Sequence, residues 1–447
     1  MPRTGRLTPV HRVAVVGSGI SGLAVAHGLA GHARVTLFEA GAYFGGHAHT
    51  VDMTLDGVSH GVDTGFLVLN ERTYPKLLRL FSELGVETVP SEMSFSVQVP
   101  GVAGVGKAGI EWSGNSLNTV FAQRGNLLRP GFWRMLRDIA RFNREATALA
   151  LTGDEAAPDQ TIGDFLVLHR FSVEFRDWYF LPMIGCIWSA PMDQILHFPV
   201  ATLIRFCHNH GLIQTTDRPQ WHTVRGGSRT YVDKMVAAVA DARLNAPVRR
   251  VQRVSDGALV STDSGTEHFD EVVMACHTDQ SLALLDDPTP METAVLGAIR
   301  YQINRAVLHT DDSLLPRRRL AWAAWNYQRA AHDARERSAV CLHYLLNRLQ
   351  PLPFTTPVIL TLNPITEPHA ASVHGEFEYA HPMFDAAAIA AQTRVVMLQG
   401  VRHTWFCGAW TRHGFHEDGL MSGLAVRDAL RQRFAAHSFI PAPAEFA

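Results

Sequence analysis

An α/β architecture, in which a parallel-sheet domain is interrupted by a second, α+β domain, follows from three observations along the 447 residues. A β-branched run, "VAVV" at 13–16, opens directly into glycines at 17, 19 and 22 and then an Ala- and Leu-rich helix. A second short apolar run, "ARVTLFE", ends in an acid, Glu39. Strand-like blocks return much later, at 248–276 and 404–409, so the first domain closes only after long insertions. The length is too great for one simple core and suits two domains. Apolar residues make up 47% and charged ones 18%, which marks a folded globular chain, and a net charge of −2 gives no reason to expect a nucleic-acid partner.

The first run reads as a buried parallel strand. In "GSGISG", Gly17 permits a tight turn, Gly19 lets a diphosphate approach the backbone, and Gly22 lets the helix lie close to the strand. Ser18, Ile20 and Ser21 complete the loop, whose free N–H groups and helix dipole favour an anion. Glu39, 22 residues beyond Gly17 at a strand end and followed by Ala40, is placed to accept ribose hydroxyls. Together these elements predict a Rossmann-like dinucleotide site. The next segment, "GGHAHT", admits two readings: half of a metal site at His47 and His49, or a second phosphate loop at Gly45-Gly46. The pairs His208/His210 and His413/His416 also lack the accompanying cysteines or acids of a metal pattern, so no metal is expected.

With Glu39, Gly45, Gly46, His47 and Thr50 in this order, the chain resembles the flavin-containing amine oxidase superfamily, which includes carotenoid desaturases. Those proteins follow the ribose acid with a double glycine, a basic residue and then Ser or Thr; the basic residue is commonly Arg, so His47 departs from the pattern. "GVDTGFLVL" resembles the superfamily's Asp-x-Gly segment, which implies that Thr64, Gly65 and Phe66 lie near the flavin. "TWFCGAWTRHGFHEDGLMSGLAVRDAL" resembles its last flavin segment, with a strand ending at Gly408-Ala409 and a terminal helix opened by Asp418-Gly419-Leu420. The resemblance also implies a backbone contact from Val248 to the adenine end. It implies a glutathione-reductase-type FAD domain at 1–84, 221–287 and 399–436, a substrate domain at 85–220 and 288–398, and a tail at 437–447. FAD is expected to be non-covalent, because none of the five scattered cysteines fits an attachment context. Their odd, dispersed placing reads as reduced thiols in a cytoplasmic protein. The first residues show no signal-peptide pattern, and no run is apolar enough to span a bilayer.

Two features of the middle bear on the substrate. In "GFWRMLRDIARFNREATALAL", Phe132, Trp133, Leu136, Ile139, Ala140 and Ala146 share one helical face, and Arg134, Arg137, Arg141 and Arg144 gather on another. This is either an ordinary surface helix or one that rests on an anionic membrane. Trp178, Tyr179, Phe180 and Trp188 are either core or the wall of an apolar channel. Phe415 falls where many amine oxidases carry a tyrosine of the amine cage. "GGHAHT", "DTGFLVLNERTYP", "WSGNSLNTVFAQR" and "WHTVRGGSRTYV" further resemble a bacterial branch associated with fatty-acid modification. The expectation is an FAD-dependent oxidoreductase that oxidises or desaturates a hydrophobic or lipid substrate, with oxygen or another electron acceptor. Tyr179, Trp188 and Phe415 are its candidate substrate contacts, and His413 and His416 its candidate bases. An amine oxidase and a non-oxidative flavin isomerase or mutase are the alternatives.

Overall fold

The computed structural model describes residues 11–101, 109–152, 160–188, 192–214, 218–330 and 340–437. The tail at 438–447 lies outside these residues.

Five strands form a wholly parallel sheet in the order Asp241–Arg243, Arg34–Phe38, Arg12–Val16, Glu271–Met274 and Thr404–Phe406. Val13, Ala14, Val15, Val272 and Val273 are fully buried, as expected of central parallel strands covered on both faces. The helix Ile20–Leu29 packs against the terminal helix His416–His437, and glycine sets how close they come. A Cβ on Gly22 would lie 2.0 Å from the Gly17 carbonyl oxygen, and one on Gly423 would lie 2.2 Å from that of Ser21. The C-terminal strand stops at Phe406, short of Gly408, and the last helix begins at His416, so Asp418 sits within its first turn instead of opening it.

A seven-stranded mixed sheet draws on two distant stretches. Its order is Val373–Pro382, Tyr301–His309, Ile359–Leu362, Cys341–Leu345, Trp325–Gln328, Phe95–Val99 and Ile110–Ser113. Only the Trp325–Gln328 and Phe95–Val99 pair is parallel; every other neighbour is antiparallel. Strands from 95–113 and from 301–382 therefore close a single layer.

The long helix Pro130–Thr152 covers part of this region, and its buried face differs from the one read in the sequence. Phe132, Met135, Phe142 and Ala146 are fully buried, whereas Trp133 and Ala140 are exposed. Phe142 sets the phase: it meets Phe165, Phe171, Phe175 and Phe180 at ring-centroid distances of 5.0–6.3 Å. Two of the arginines are tied to their own fold. Arg134 pairs with Glu174, and the Arg141 guanidinium lies 4.1 Å from the Phe171 ring centroid.

Candidate active site

The carboxyl ends of the parallel strands open into one large cavity of about 1550 Å³. That exceeds the roughly 300–1,000 Å³ of ordinary small-molecule sites and leaves room for a dinucleotide and a second molecule. Carboxyl ends are where parallel sheets bind ligands, because loops and helix N-termini converge there.

At one end lies the glycine loop. Gly17 has φ +104°, a left-handed conformation that suits glycine, and its Cβ would fall 2.9 Å from the Ala275 carbonyl oxygen. Gly19, by contrast, would project a Cβ into open space, with nothing within 4 Å. Gly45 and Gly46 also have positive φ, +117° and +59°, and Gly45 forms a parallel bridge with Gly19, so the two glycine segments run side by side. Gly45 N donates to Ser18 Oγ at 3.1 Å, and Ser18 Oγ donates to Glu39 Oε2 at 2.5 Å. Glu39 also accepts from the N–H groups of Ser18 (3.1 Å) and Gly41 (2.8 Å), which aim its carboxylate across the loop.

Most of the sequence-predicted residues line this cavity: Gly17 to Ser21, Glu39, Ala40, Gly45 to His47, Gly65, Phe66, Val248, Gly408 and Ala409, with Tyr179, Trp188, His413, Phe415 and His416. Five do not. Gly22 sits beneath the loop against Gly17. Thr64 turns its hydroxyl to Tyr379 OH (2.7 Å) and His49 Nδ1 (3.1 Å), behind the wall. Asp418 accepts from Phe415 N at 3.0 Å and fixes the entry to the last helix; Gly419 packs against Ile20, and Leu420 is fully buried.

The far end is aromatic. Phe415 stacks on Phe206 at 4.9 Å and lies 6.5 Å from Trp188, whose Nε1 donates to the His413 carbonyl at 3.3 Å. Of the four residues in the Trp178–Trp188 reading, Tyr179 and Trp188 line the cavity, while Phe180 is fully buried against Phe142. The two candidate bases differ. His416 is held as neutral imidazole, its pKa pushed by burial down to about 3. Its Nε2 is hydrogen-bonded to Tyr231 OH at 2.7 Å, and its ring stacks on Phe66 at 4.0 Å. Those contacts suit a residue that braces Phe66 better than one that accepts a proton. For His413, burial lowers the pKa while Asp418 opposes the shift.

Sequence reasoning missed His277, Tyr379 and His381, all of which line the cavity beside His47. His277 was legible: it follows the buried strand Glu271–Met274 by three residues, at a carboxyl end of the sheet. Tyr379 and His381 come from the distant strand Val373–Pro382, and nothing local marks them. Among the described residues, no group of three or more His, Cys, Asp or Glu side chains is arranged to hold a metal ion. All five cysteines carry free thiols.

Two observations fit an FAD diphosphate at the glycine end. The space above Gly19 is open to a ligand, and His47 Nε2 is a buried polar atom with no hydrogen-bond partner in the protein.

Comparison with known proteins agrees. A family model described as flavin containing amine oxidoreductase matches residues 20–314. Two sequences from Mycobacterium tuberculosis strains, each named a putative flavin-containing monoamine oxidase AofH, are 27% identical over 296 residues, 63% of this chain. The match spans 60% of those relatives' length. Among solved structures, cyclohexylamine oxidase from Brevibacterium oxydans aligns with a TM-score of 0.66 at 16% identity, covering 96% of this chain and 100% of that one. A CLA-producing fatty acid isomerase from P. acnes aligns at 0.63 and 14%, covering 94% and 98%. At those identities the structural likeness speaks for the fold. The glycine loops, the dinucleotide-sized cavity and the family match lead to one conclusion: the chain belongs to the flavin-containing amine oxidoreductase family.

Proposed function

We propose that the substrate is a hydrophobic, fatty-acyl-like molecule, oxidised or desaturated in the aromatic end of the cavity. The observation that carries this reading is the packing of Phe415. One face of its ring is covered by Phe206, and Trp188 stands beside it, so the position is part of an apolar wall. Phe415 has no hydroxyl, and the two acids that follow it are engaged elsewhere: Glu417 accepts from Lys76 N and Leu77 N, Asp418 accepts from the Phe415 N–H, and both lie outside the cavity lining. Bound FAD supplies the hydride acceptor. Tyr179, Trp188 and Phe415 hold the chain of the substrate and exclude water, and His413, which also lines the cavity, takes the proton.

The surface supports a lipid source. Leu117, Leu127, Leu128 and Trp133 are exposed, Leu128 by 88%. From Gly114 to Arg137 the sequence holds four arginines, of which Arg134 pairs with Glu174 and Arg137 with Asp138, leaving Arg124 and Arg129 outside ion pairs among the described residues. Gly114 and Asn115, the first residues of this stretch, line the cavity, so the stretch runs outward from its rim. An exposed Trp with leucines and arginines suits the interface of an anionic bilayer. No helix among the described residues is long and apolar enough to cross a membrane. Co-sedimentation with anionic vesicles, weakened by salt and by Leu128→Asp, is the expected result; equal recovery with neutral vesicles argues against the patch.

Amine oxidation is the second reading, favoured by the names of the Mycobacterium relatives. Anaerobic bleaching of the flavin near about 450 nm separates the two. Bleaching by unsaturated or methyl-branched acyl chains, and not by amines, is expected. Bleaching by amines alone overturns the lipid reading, and an acyl product rearranged without net oxidation moves the assignment to an isomerase.

A further inference from the structure

An FAD diphosphate at the glycine end of the cavity would bring two negative charges, yet neither glycine segment carries an arginine or lysine. The cavity lining holds two arginines. Arg249 is engaged by Asp263 through two bonds of 3.0 Å, and Arg218 Nε donates to the Gln214 carbonyl. Three imidazoles stand at the loop instead. The His47 ring lies 5.4 Å from His381 and 6.4 Å from His277, and Tyr379 approaches it at 5.2 Å. They come from three separate elements: the double-glycine loop, the end of the strand Glu271–Met274, and the strand Val373–Pro382.

Each ring is held in place. His277 stacks on Tyr301 at 4.3 Å, and Tyr301 OH accepts from Thr278 N at 3.0 Å. His381 Nδ1 lies 2.9 Å from Asn304 Nδ2. That amide is oriented by its neighbours, because Asn304 Nδ2 also donates to the Gln302 carbonyl and Asn304 Oδ1 accepts from Asn363. Asn304 is therefore the donor, His381 Nδ1 the acceptor, and the proton of neutral His381 sits on Nε2. His47 Nε2 is buried with no partner, a costly state for a polar atom unless a ligand completes it.

We propose that His47 and His277, with neutral His381 beside them as an Nε2–H donor, form a proton-dependent clamp for the FAD diphosphate, so that capture of the cofactor takes up protons from solvent. Without the anion, burial is the main influence that keeps all three neutral. It pushes His47 down to about 3 and His381 down to about 4, and it lowers His277. Mutual repulsion adds to this: His381, His277 and His416 act on His47, and His277 acts on His381. On the opposite side, Asp279 raises His277, and a backbone hydrogen bond with Ala380 raises His47. The remaining acids of the lining are Glu39, which accepts from Ser18 and Gly41, together with Glu92 and Glu378. A diphosphate beside the cluster favours protonated His47 and His277, so their pKa values rise on binding, while His381 stays neutral against the Asn304 amide. FAD then binds more tightly as pH falls through the raised values, and its affinity levels off above them. A fixed arginine at position 47 gives no such dependence.

The test is binding, not turnover. Flavin release from the holoprotein is followed by fluorescence between about pH 5.5 and 8.5, the range around ordinary imidazole titration. Rebinding to the apoprotein is followed by calorimetry in two buffers of different ionisation enthalpy, which counts protons. One proton taken up makes the dissociation constant rise about tenfold per pH unit over the titrating range. In His47→Arg the dependence is expected to flatten, and in His47→Gln the affinity is expected to fall more at low pH than at high pH. A dissociation constant that does not vary with pH, together with a buffer-independent enthalpy, overturns the proposal. So does an unchanged pH slope in His47→Arg.

Discussion

Alanine at Gly19 and at Gly22, three residues apart at the start of one helix, should fail in opposite ways. Gly19 has φ −60° and ψ 171°, a conformation open to any residue, and its Cβ would meet nothing within 4 Å. In the apoprotein the change loses a good N-cap residue, but it also removes unfolded-state freedom worth about 0.4–1 kcal/mol. The two nearly cancel, so the apoprotein should melt within a few degrees of the parent. The methyl group instead occupies the space a phosphate needs. Overpacking of this sort costs about 1–3 kcal/mol, or roughly 5- to 150-fold in FAD affinity. At Gly22 the added Cβ lies 2.0 Å from the Gly17 carbonyl oxygen, and backbone must move. The apoprotein itself should lose about 3 kcal/mol or more. Thermal unfolding of both apoproteins and fluorescence titration with FAD read the two effects separately. A Gly19→Ala protein that holds FAD within about twofold of the parent refutes the placing of the phosphate over this residue.

Other expectations follow from single contacts. Glu417 accepts from Lys76 N (2.8 Å) and Leu77 N (2.9 Å), the first turn of the helix Pro75–Leu84. Glu417→Ala leaves both groups unpaired and should cost about 1–3 kcal/mol in denaturant unfolding. His343 is buried with both ring nitrogens bonded, to Thr361 Oγ1 (2.8 Å) and Gln328 Oε1 (2.9 Å). Burial, helped by His309, holds its pKa down to about 3. Because the unfolded chain binds that proton near pH 6.5 and the folded chain does not, stability should fall as pH drops from there toward 3, by up to about 1.4 kcal/mol per pH unit. His343→Gln should flatten that slope in denaturant titrations at several pH values. Trp188→Ala should raise KM for an acyl substrate while leaving the FAD spectrum in place; a lost flavin spectrum instead assigns Trp188 to the cofactor end.

The two glycine loops and the acid at the strand end were legible because their geometry is local. A turn that needs φ of +104° at Gly17, and a helix that needs no Cβ at Gly22, leave glycines at fixed spacing whatever surrounds them. The aromatic end was legible in composition but not in direction. Residues Arg176–Phe180 form a π-helical turn, which breaks the 3.6-residue phase and puts Tyr179 toward the cavity and Phe180 into the core. Periodicity failed in the same way on the arginine-bearing helix, where the aromatic cluster around Phe142 selects the buried face. His381 and Tyr379 were beyond reach, since they meet His47 only through a strand more than 300 residues away.

The order of strands in the parallel sheet has a consequence for how the protein is made. Its edge strand is residues Thr404–Phe406, and the helix that seals the glycine loop and caps Pro75–Leu84 through Glu417 begins at His416. At synthesis rates of about 5–20 residues per second, the loop at Gly17 waits tens of seconds on the ribosome before its covering helix exists. During that interval the nascent chain exposes one flank of a β-sheet and an unfinished pocket, so loading of the flavin is deferred until the helix His416–His437 has been made. A ribosome stalled before residue 416 would yield a colourless, aggregation-prone product that lacks this helix, and supply of the cofactor alone would not rescue it.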